Sequence, residues 1–243
     1  MKKKNILISG ASSDIGYQII LDLAKSSANI FALYNKNIKK INKLSKDLKA
    51  LKIKNVKFYK LDFLNLKKTE KFSEFFFKKN NIDVLVNNAA LSQRKKYLTL
   101  TNQDWINMLK CNLVTPFIFS KFAILNKKND SLKIINISSI AAETGGIEQP
   151  HYAASKAGLS NLTKSISKQF AKKKIFSYTI SPGVINTKSI SKNKKKKNSK
   201  VIKSIPSGRL GSPKEISELI KYLINSNSEY STGSKFNIDG GMI

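Results

Sequence analysis

Three residues that exchange protons fall close together in the second half of the chain: Ser139, Tyr152 and Lys156. Tyr152 and Lys156 are spaced i, i+4, and the surrounding apolar pattern predicts a helix over 151–172. The two side chains therefore share a helix face near its start. An ammonium beside a phenol favours the phenolate, so the tyrosine is expected to fall below its ordinary pKa of about 10. A tyrosine tuned in that way protonates a carbonyl oxygen or takes the proton of an alcohol. Ser138-Ser139 ends a strand-like run thirteen residues before Tyr152, where a hydroxyl is placed to hold a substrate oxygen. Each residue also has a plain structural reading, as a helix-surface pair or a strand-end cap, so the surroundings must decide.

Those surroundings alternate regularly. Short apolar runs at 5–9, 29–34, 56–61, 84–86, 133–137, 176–180 and 235–238 read as strands. Helical spacing marks 15–25, 38–51, 69–79, 105–125, 151–172 and 213–223. Strands alternating with helices along the whole length predict right-handed βαβ units. The fold class is α/β, a Rossmann-like doubly wound parallel sheet of about seven strands with helices on both faces. No linker or internal repeat divides residues 1–243, which read as one domain.

In such sheets the ligand lies at the carboxyl ends of the strands. The first strand runs into Ser9-Gly10-Ala11-Ser12-Ser13-Asp14-Ile15-Gly16 and then directly into a helix. Glycines there allow a tight turn, and the helix N-terminus offers free N–H groups to a pyrophosphate. The plain alternative is an ordinary turn with Ser13 or Asp14 as the helix cap. An acid at the end of the second strand would bind the ribose 2′-hydroxyl of NAD. Leu33-Tyr34-Asn35-Lys36-Asn37 has no carboxylate and one cation, which favours NADP. Asp62, after the third strand, is placed either to accept from the adenine amino group or to cap a turn.

Composition narrows the remaining classes. The 243 residues carry 45 Lys+Arg against 15 Asp+Glu, a net charge of +30, yet only Arg94 and Arg209 are arginines. The scarcity of arginine and the spread of lysine over nearly every polar segment argue against nucleic acid as the partner. One run stands out at 192–200, with four consecutive lysines at 194–197. A single Cys111 excludes a disulfide scaffold, and with a single His151 it excludes a Cys/His zinc site; no metal is expected. No uninterrupted apolar run reaches the roughly 18 residues that span a bilayer, and a cytoplasmic, membrane-free location is expected.

Taken in order, the motifs resemble those of the short-chain dehydrogenase/reductase family. They are the Ser-Gly-x5-Gly loop, Asn87-Asn88-Ala89-Ala90, Asn112, Ser139, Tyr152-x3-Lys156 and Pro182-Gly183-Val184-Ile185-Asn186-Thr187. The tail, with Gly208-Arg209-Leu210-Gly211-Ser212-Pro213 and Asp239-Gly240-Gly241-Met242, is similar to the branch that includes 3-oxoacyl-[acyl-carrier-protein] reductases. The resemblance implies an NADPH-dependent carbonyl reductase with Tyr152 as general acid/base and Ser139 orienting the substrate. It implies that Lys156 holds the nicotinamide ribose and that Asn112 positions a water relaying protons to Lys156. Gly10, Ser12, Ser13, Ile15 and Gly16 would surround the pyrophosphate. Asn35, Lys36, Asp62, Phe63, Asn88, Tyr152, Lys156 and Ile185 would line the rest of the coenzyme.

Two positions depart from the family pattern: Asp14 replaces the loop's middle glycine, and Ala90 the last glycine of Asn-Asn-Ala-Gly. NADP-preferring relatives often carry a basic residue where this chain has Ser13. The family also implies a substrate loop at about 188–206, which here contains the lysine run, and a basic rim that would steer an acidic acyl carrier protein. Lys172, Lys173 and Lys174 are expected to add to that rim. Homotetramers formed through helices 105–125 and 152–172 are a further implication, with Phe117, Phe119 and Phe122 as spare apolar surface. The other readings are a reductase of another small ketone, alcohol or sugar, and a nucleic-acid-binding or scaffold protein on the same fold.

Overall fold

The computed structural model describes residues 3–26, 28–187, 200–227 and 229–243. All of the lysine run except Lys200, and residues 188–199 of the expected substrate loop, lie outside the described residues. Seven strands form one sheet: β1 (Asn5–Ser9), β2 (Asn29–Tyr34), β3 (Val56–Lys60), β4 (Val84–Asn87), β5 (Leu132–Ile137), β6 (Ile175–Pro182) and β7 (Lys235–Ile238). Every neighbouring pair is parallel, in the order β3-β2-β1-β4-β5-β6-β7. The order reverses between β1 and β4, the switch point at whose carboxyl ends doubly wound sheets bind their ligands.

Two apolar layers hold the helices. Ile19 and Ile20 of α1 (Asp14–Ala24), Ile41 of α2 (Ile38–Ala50) and Ile216 of α8 (Pro213–Asn225) pack on one face. On the other face lie Phe76 of α3 (Leu66–Lys79), Phe119 of α5 (Thr115–Leu125) and Ile166 of α7 (Pro150–Phe170). Phe119 is thus core, its ring set edge-on to Phe63 at 5.7 Å. Phe122 also leans on that layer, so of the three expected surface phenylalanines only Phe117 is half exposed.

Some lysines serve the fold itself. Lys133, buried on β5, donates to the carbonyls of Leu223 (2.7 Å), Ile224 (3.3 Å) and Ser226 (2.6 Å), and Lys4 donates to Ile224 at 2.6 Å. Two ammonium groups thereby satisfy the carbonyls and complement the dipole at the end of α8.

The single long helix expected over 105–125 is broken. It begins as α4 (Asn102–Leu109), widens into a π turn at Lys110–Val114, and continues as α5. Pro116 has no N–H to donate, which removes the α-helical partner of the Asn112 carbonyl. The stretch 102–125 is long and apolar enough to cross a membrane, but half of its most apolar window is buried within the protein. A short α6 (Ala141–Thr144), unforeseen in the sequence, follows β5.

The π turn aims Asn112 at the segment after β4. Its Oδ1 accepts from the Leu91 N–H (2.7 Å), and its Nδ2 donates to the Leu91 carbonyl (2.9 Å) and to Ser155 Oγ (3.0 Å). This fully buried amide clamps the β4–α4 segment and α7 together. Asn112→Ala would leave the N–H and carbonyl of Leu91 without this amide, a loss of roughly 2–4 kcal/mol. Equilibrium denaturation checks this, and a variant as stable as wild type would rule the clamp out.

Candidate active site

The loop between β1 and α1 is built for close approach. Gly10 adopts φ +77, and a Cβ there would lie 2.8 Å from the Ala89 Cα. A Cβ on Gly16 would meet Asn88 Nδ2 at 2.8 Å, so neither position has room for a side chain. Ser13 caps α1, its Oγ accepting from the Gly16 N–H at 2.8 Å, which selects Ser13 over Asp14 as the cap. Asn88 ties the loop to β4: its Nδ2 donates to the carbonyls of Ser9 (2.9 Å) and Gly10 (3.2 Å). Ser9 Oγ, the serine of the Ser-Gly-x5-Gly loop, accepts from the N–H groups of Asn88 (3.1 Å) and Ala89 (3.0 Å), a role its type and position alone do not specify. A glycine cradle facing the N-terminus of α1, with Ser12 and Ile15 beside it, suits a pyrophosphate.

At the carboxyl ends of β2 and β3, Asn35 Nδ2 donates to Asp62 Oδ1 at 3.0 Å, and the Leu64 N–H donates to the same oxygen at 3.1 Å. Asp62 therefore caps its turn and fixes Asn35 across the ends of β2 and β3. Phe63 lies behind this layer; its ring is buried against Phe119, and its carbonyl accepts from Thr115 Oγ1 (3.2 Å). Lys36 is exposed. Ile185 is buried beyond β6, bridged to Gly211.

Ser139 and Lys156 meet Tyr152 where β5 ends. Lys156 is 2% exposed; its Nζ donates to the Ile137 carbonyl at 2.7 Å and sits 5.7 Å from the centre of the Tyr152 ring. Burial of the ammonium pushes its pKa down to about 8. Burial also raises the Tyr152 pKa, opposed by its hydrogen bond with Ser139. The expected fall in the tyrosine pKa is thus not what the protein alone produces. Its ammonium donates to a carbonyl and lies over the ring, and desolvation of the phenolate dominates. Ser139 Oγ in turn accepts from the Ala141 N–H at 3.2 Å, in the first turn of α6.

The register of α7 on the sheet is set by hydroxyls and amides. Ser138 Oγ donates to the Lys156 carbonyl (2.9 Å), and Ser160 Oγ donates to Ser138 Oγ (2.9 Å). Deeper, Asn87 donates to Asn136 (2.8 Å) and Asn136 to Thr163 (2.9 Å), crossing from β4 through β5 to α7. Asn112 stands behind this group, and its side chain holds Leu91 and Ser155 rather than Lys156.

Two segments meet before the start of α7, the helix that carries Tyr152. The Lys95 N–H donates to the Glu148 carbonyl at 3.0 Å, joining the segment after β4 to the one before α7. Leu98 (94% exposed) and Ile147 (93% exposed) are apolar side chains open to solvent on these joined segments, and Arg94 and Lys96 are exposed on the first of them. Lys172, Lys173 and Lys174 do not reach these segments. They follow the far end of α7, whose 21 residues span about 30 Å. The Lys174 carbonyl accepts from the Leu132 N–H at the amino end of β5, the end opposite the site. The expectation that they add to a substrate rim is corrected by the direction of the helix.

Residues 10–243 match the family described as enoyl-(acyl carrier protein) reductase. A 3-oxoacyl-[acyl-carrier-protein] reductase of Rickettsia prowazekii is 32% identical over 99% of this chain and 97% of its own length. The corresponding protein of Buchnera aphidicola subsp. Baizongia pistaciae is 37% identical over 75% of this chain and 76% of its own. Among solved structures, a candidate 2-deoxy-D-gluconate 3-dehydrogenase from Agrobacterium tumefaciens with bound NADP superposes with a TM-score of 0.87. That protein shares 26% identity, over 100% of this chain and 97% of its own. The loop, the Ser-Tyr-Lys group and the sheet order agree with these likenesses, and the chain belongs to the short-chain dehydrogenase/reductase family of oxidoreductases.

Proposed function

We propose that this protein is an NADPH-dependent reductase that converts a 3-oxoacyl group on an acyl carrier protein to the 3-hydroxyacyl form. The observation that carries the reaction type is the Ser139–Tyr152–Lys156 group at the end of β5, beside the glycine cradle. When bound, the nicotinamide supplies the hydride that adds to the carbonyl carbon. Tyr152 donates its phenolic proton to the carbonyl oxygen, and Ser139 hydrogen-bonds the same oxygen and holds it in line. The Lys156 ammonium lowers the cost of the phenolate that remains, and the nicotinamide ribose is held by Tyr152 and Lys156. Asn112 contributes to the proton path through its main-chain carbonyl, because its side chain is occupied by Leu91 and Ser155.

Gly10, Ser12, Ser13, Ile15 and Gly16 hold the pyrophosphate, with Asn35, Lys36, Asp62, Asn88 and Ile185 along the coenzyme and Phe63 supporting Asp62 from below. The absence of an acid at the end of β2 supports NADP over NAD. The substrate class is supported by the relatives named above and by the exposed apolar side chains of Leu98 and Ile147, which suit an acyl chain. The exposed Arg94 and Lys96 suit an acidic carrier. Residues 1–243 act as one reductase domain, cytoplasmic and independent of membrane and nucleic acid.

The same reading includes a homotetramer. Leu113, Val114, Phe117, Gly158 and Leu162 line a cavity of about 490 Å³ between α5 and α7. Phe117 (49% exposed) and Leu125 (67%) extend this apolar face outward, and a second copy of the chain covers it.

Two experiments test these statements. Purified protein is expected to oxidise NADPH with an acetoacetyl thioester, and Tyr152→Phe is expected to lower kcat at least 1000-fold while NADPH still binds. Turnover confined to sugars, simple ketones or 2-enoyl thioesters would contradict the substrate class, and near-normal Tyr152→Phe activity would contradict the mechanism. Phe117→Glu is expected to convert a tetramer into smaller species in light scattering; wild type sedimenting as a monomer would refute the assembly.

A further inference from the structure

The departure at Asp14 acquires a meaning from what it touches. Asp14 Oδ1 accepts from Lys40 Nζ, forming an ion pair across the gap between the first turns of α1 and α2. Both side chains are largely buried, with 14% of Lys40 and 20% of Asp14 exposed. Lys40 stands in the first turn of α2, its N–H donating to the capping Asn37 at 3.3 Å. A cation there opposes the helix dipole, so the dipole does not explain its position. The ring of Tyr17 lies below, 5.9 Å from Lys40 Nζ and 5.7 Å from Lys43 Nζ, with its hydroxyl donating to Asp47.

This places a fixed ammonium where β2 ends. The β1–α1 loop and β2 are joined there, the Ala11 N–H donating to the Leu33 carbonyl at 2.9 Å. In a doubly wound sheet the adenosine ribose lies at that strand end. Ser13, the loop position open to a basic residue, is committed to capping Gly16, and Lys36 is exposed. Asp14 is neutralised by its lysine, and Asp47 and Asp62 are engaged by Tyr17 and Asn35. The local balance of Lys36, Lys39, Lys40 and Lys43 against these acids favours a dianion.

We propose that Lys40, tethered by Asp14, is the specificity-determining residue that recognises a 2′-phosphate on the adenosine ribose. The cation that a phosphate loop would otherwise carry is supplied from α2. This inference rests on the coenzyme reading above and names the residue responsible for it.

Direct titration of the free protein with NADPH, NADH and 2′,5′-ADP, followed by nucleotide fluorescence or calorimetry, tests it. Wild type is expected to bind NADPH at least tenfold more tightly than NADH. Lys40→Met and Lys40→Gln are each expected to lose at least tenfold in affinity for NADPH and 2′,5′-ADP while NADH stays within twofold. Lys40→Arg is expected to keep the preference. Variants that retain the wild-type NADPH-to-NADH ratio would overturn the role of Lys40 and leave the coenzyme reading standing. Equal loss of both coenzymes in both variants would overturn it as well, because selection would not then reside at Lys40. Wild type binding NADH more tightly would overturn the coenzyme reading itself.

Discussion

A buried ammonium with one carbonyl to receive it is the constraint around which the active-site half of this protein is arranged. Removing an ammonium from water is costly unless partners replace the lost hydration. Lys156 has the Ile137 carbonyl at 2.7 Å and the face of Tyr152 nearby, and its lowered pKa records how incompletely these compensate. The arrangement holds only if the end of β5 and the first turns of α7 keep their register. Ser138, Ser160, Asn136 and Thr163 provide that register through side-chain hydrogen bonds, and Asn112 closes the other side of α7. The glycine cradle depends on a parallel set of contacts from Asn88 and Ser9.

Much of this was legible from residue order. The seven apolar runs appear as strands, the five inner ones almost continuously buried, and the amphipathic helices appear between them apart from the break within 105–125. Ser139, Tyr152 and Lys156 meet because a strand end and the next helix start are neighbours in any βαβ unit. The π turn at Lys110–Val114 was not legible, since a register of i to i+5 leaves no distinct apolar period; Pro116 was the available signal. The direction of the tyrosine shift also escaped, because burial is a tertiary quantity. So did the place of Lys172–Lys174, which depends on which way a helix runs.

The charge of +30 resolves into separate roles once the contacts are known. Lys133 and Lys4 terminate α8, Lys95 pairs with Asp104 of α4, Lys40 pairs with Asp14, and Lys156 sits under Tyr152. Most other described lysines are solvated surface. With 43 lysines in the chain, composition hid the few that are positioned, and only burial and partners separated them.

The most direct test of the central claim is the pH dependence of kcat/KM for carbonyl reduction, which reports ionisations of the free enzyme and substrate. The reaction in this direction needs Tyr152 protonated and Lys156 charged. With Lys156 held at about 8, kcat/KM is expected to fall about tenfold per pH unit above pH 8. Lys156→Arg, whose charge does not titrate in this range, is expected to lose that limb even if its rate is low. A wild-type profile flat to pH 10 would contradict the account.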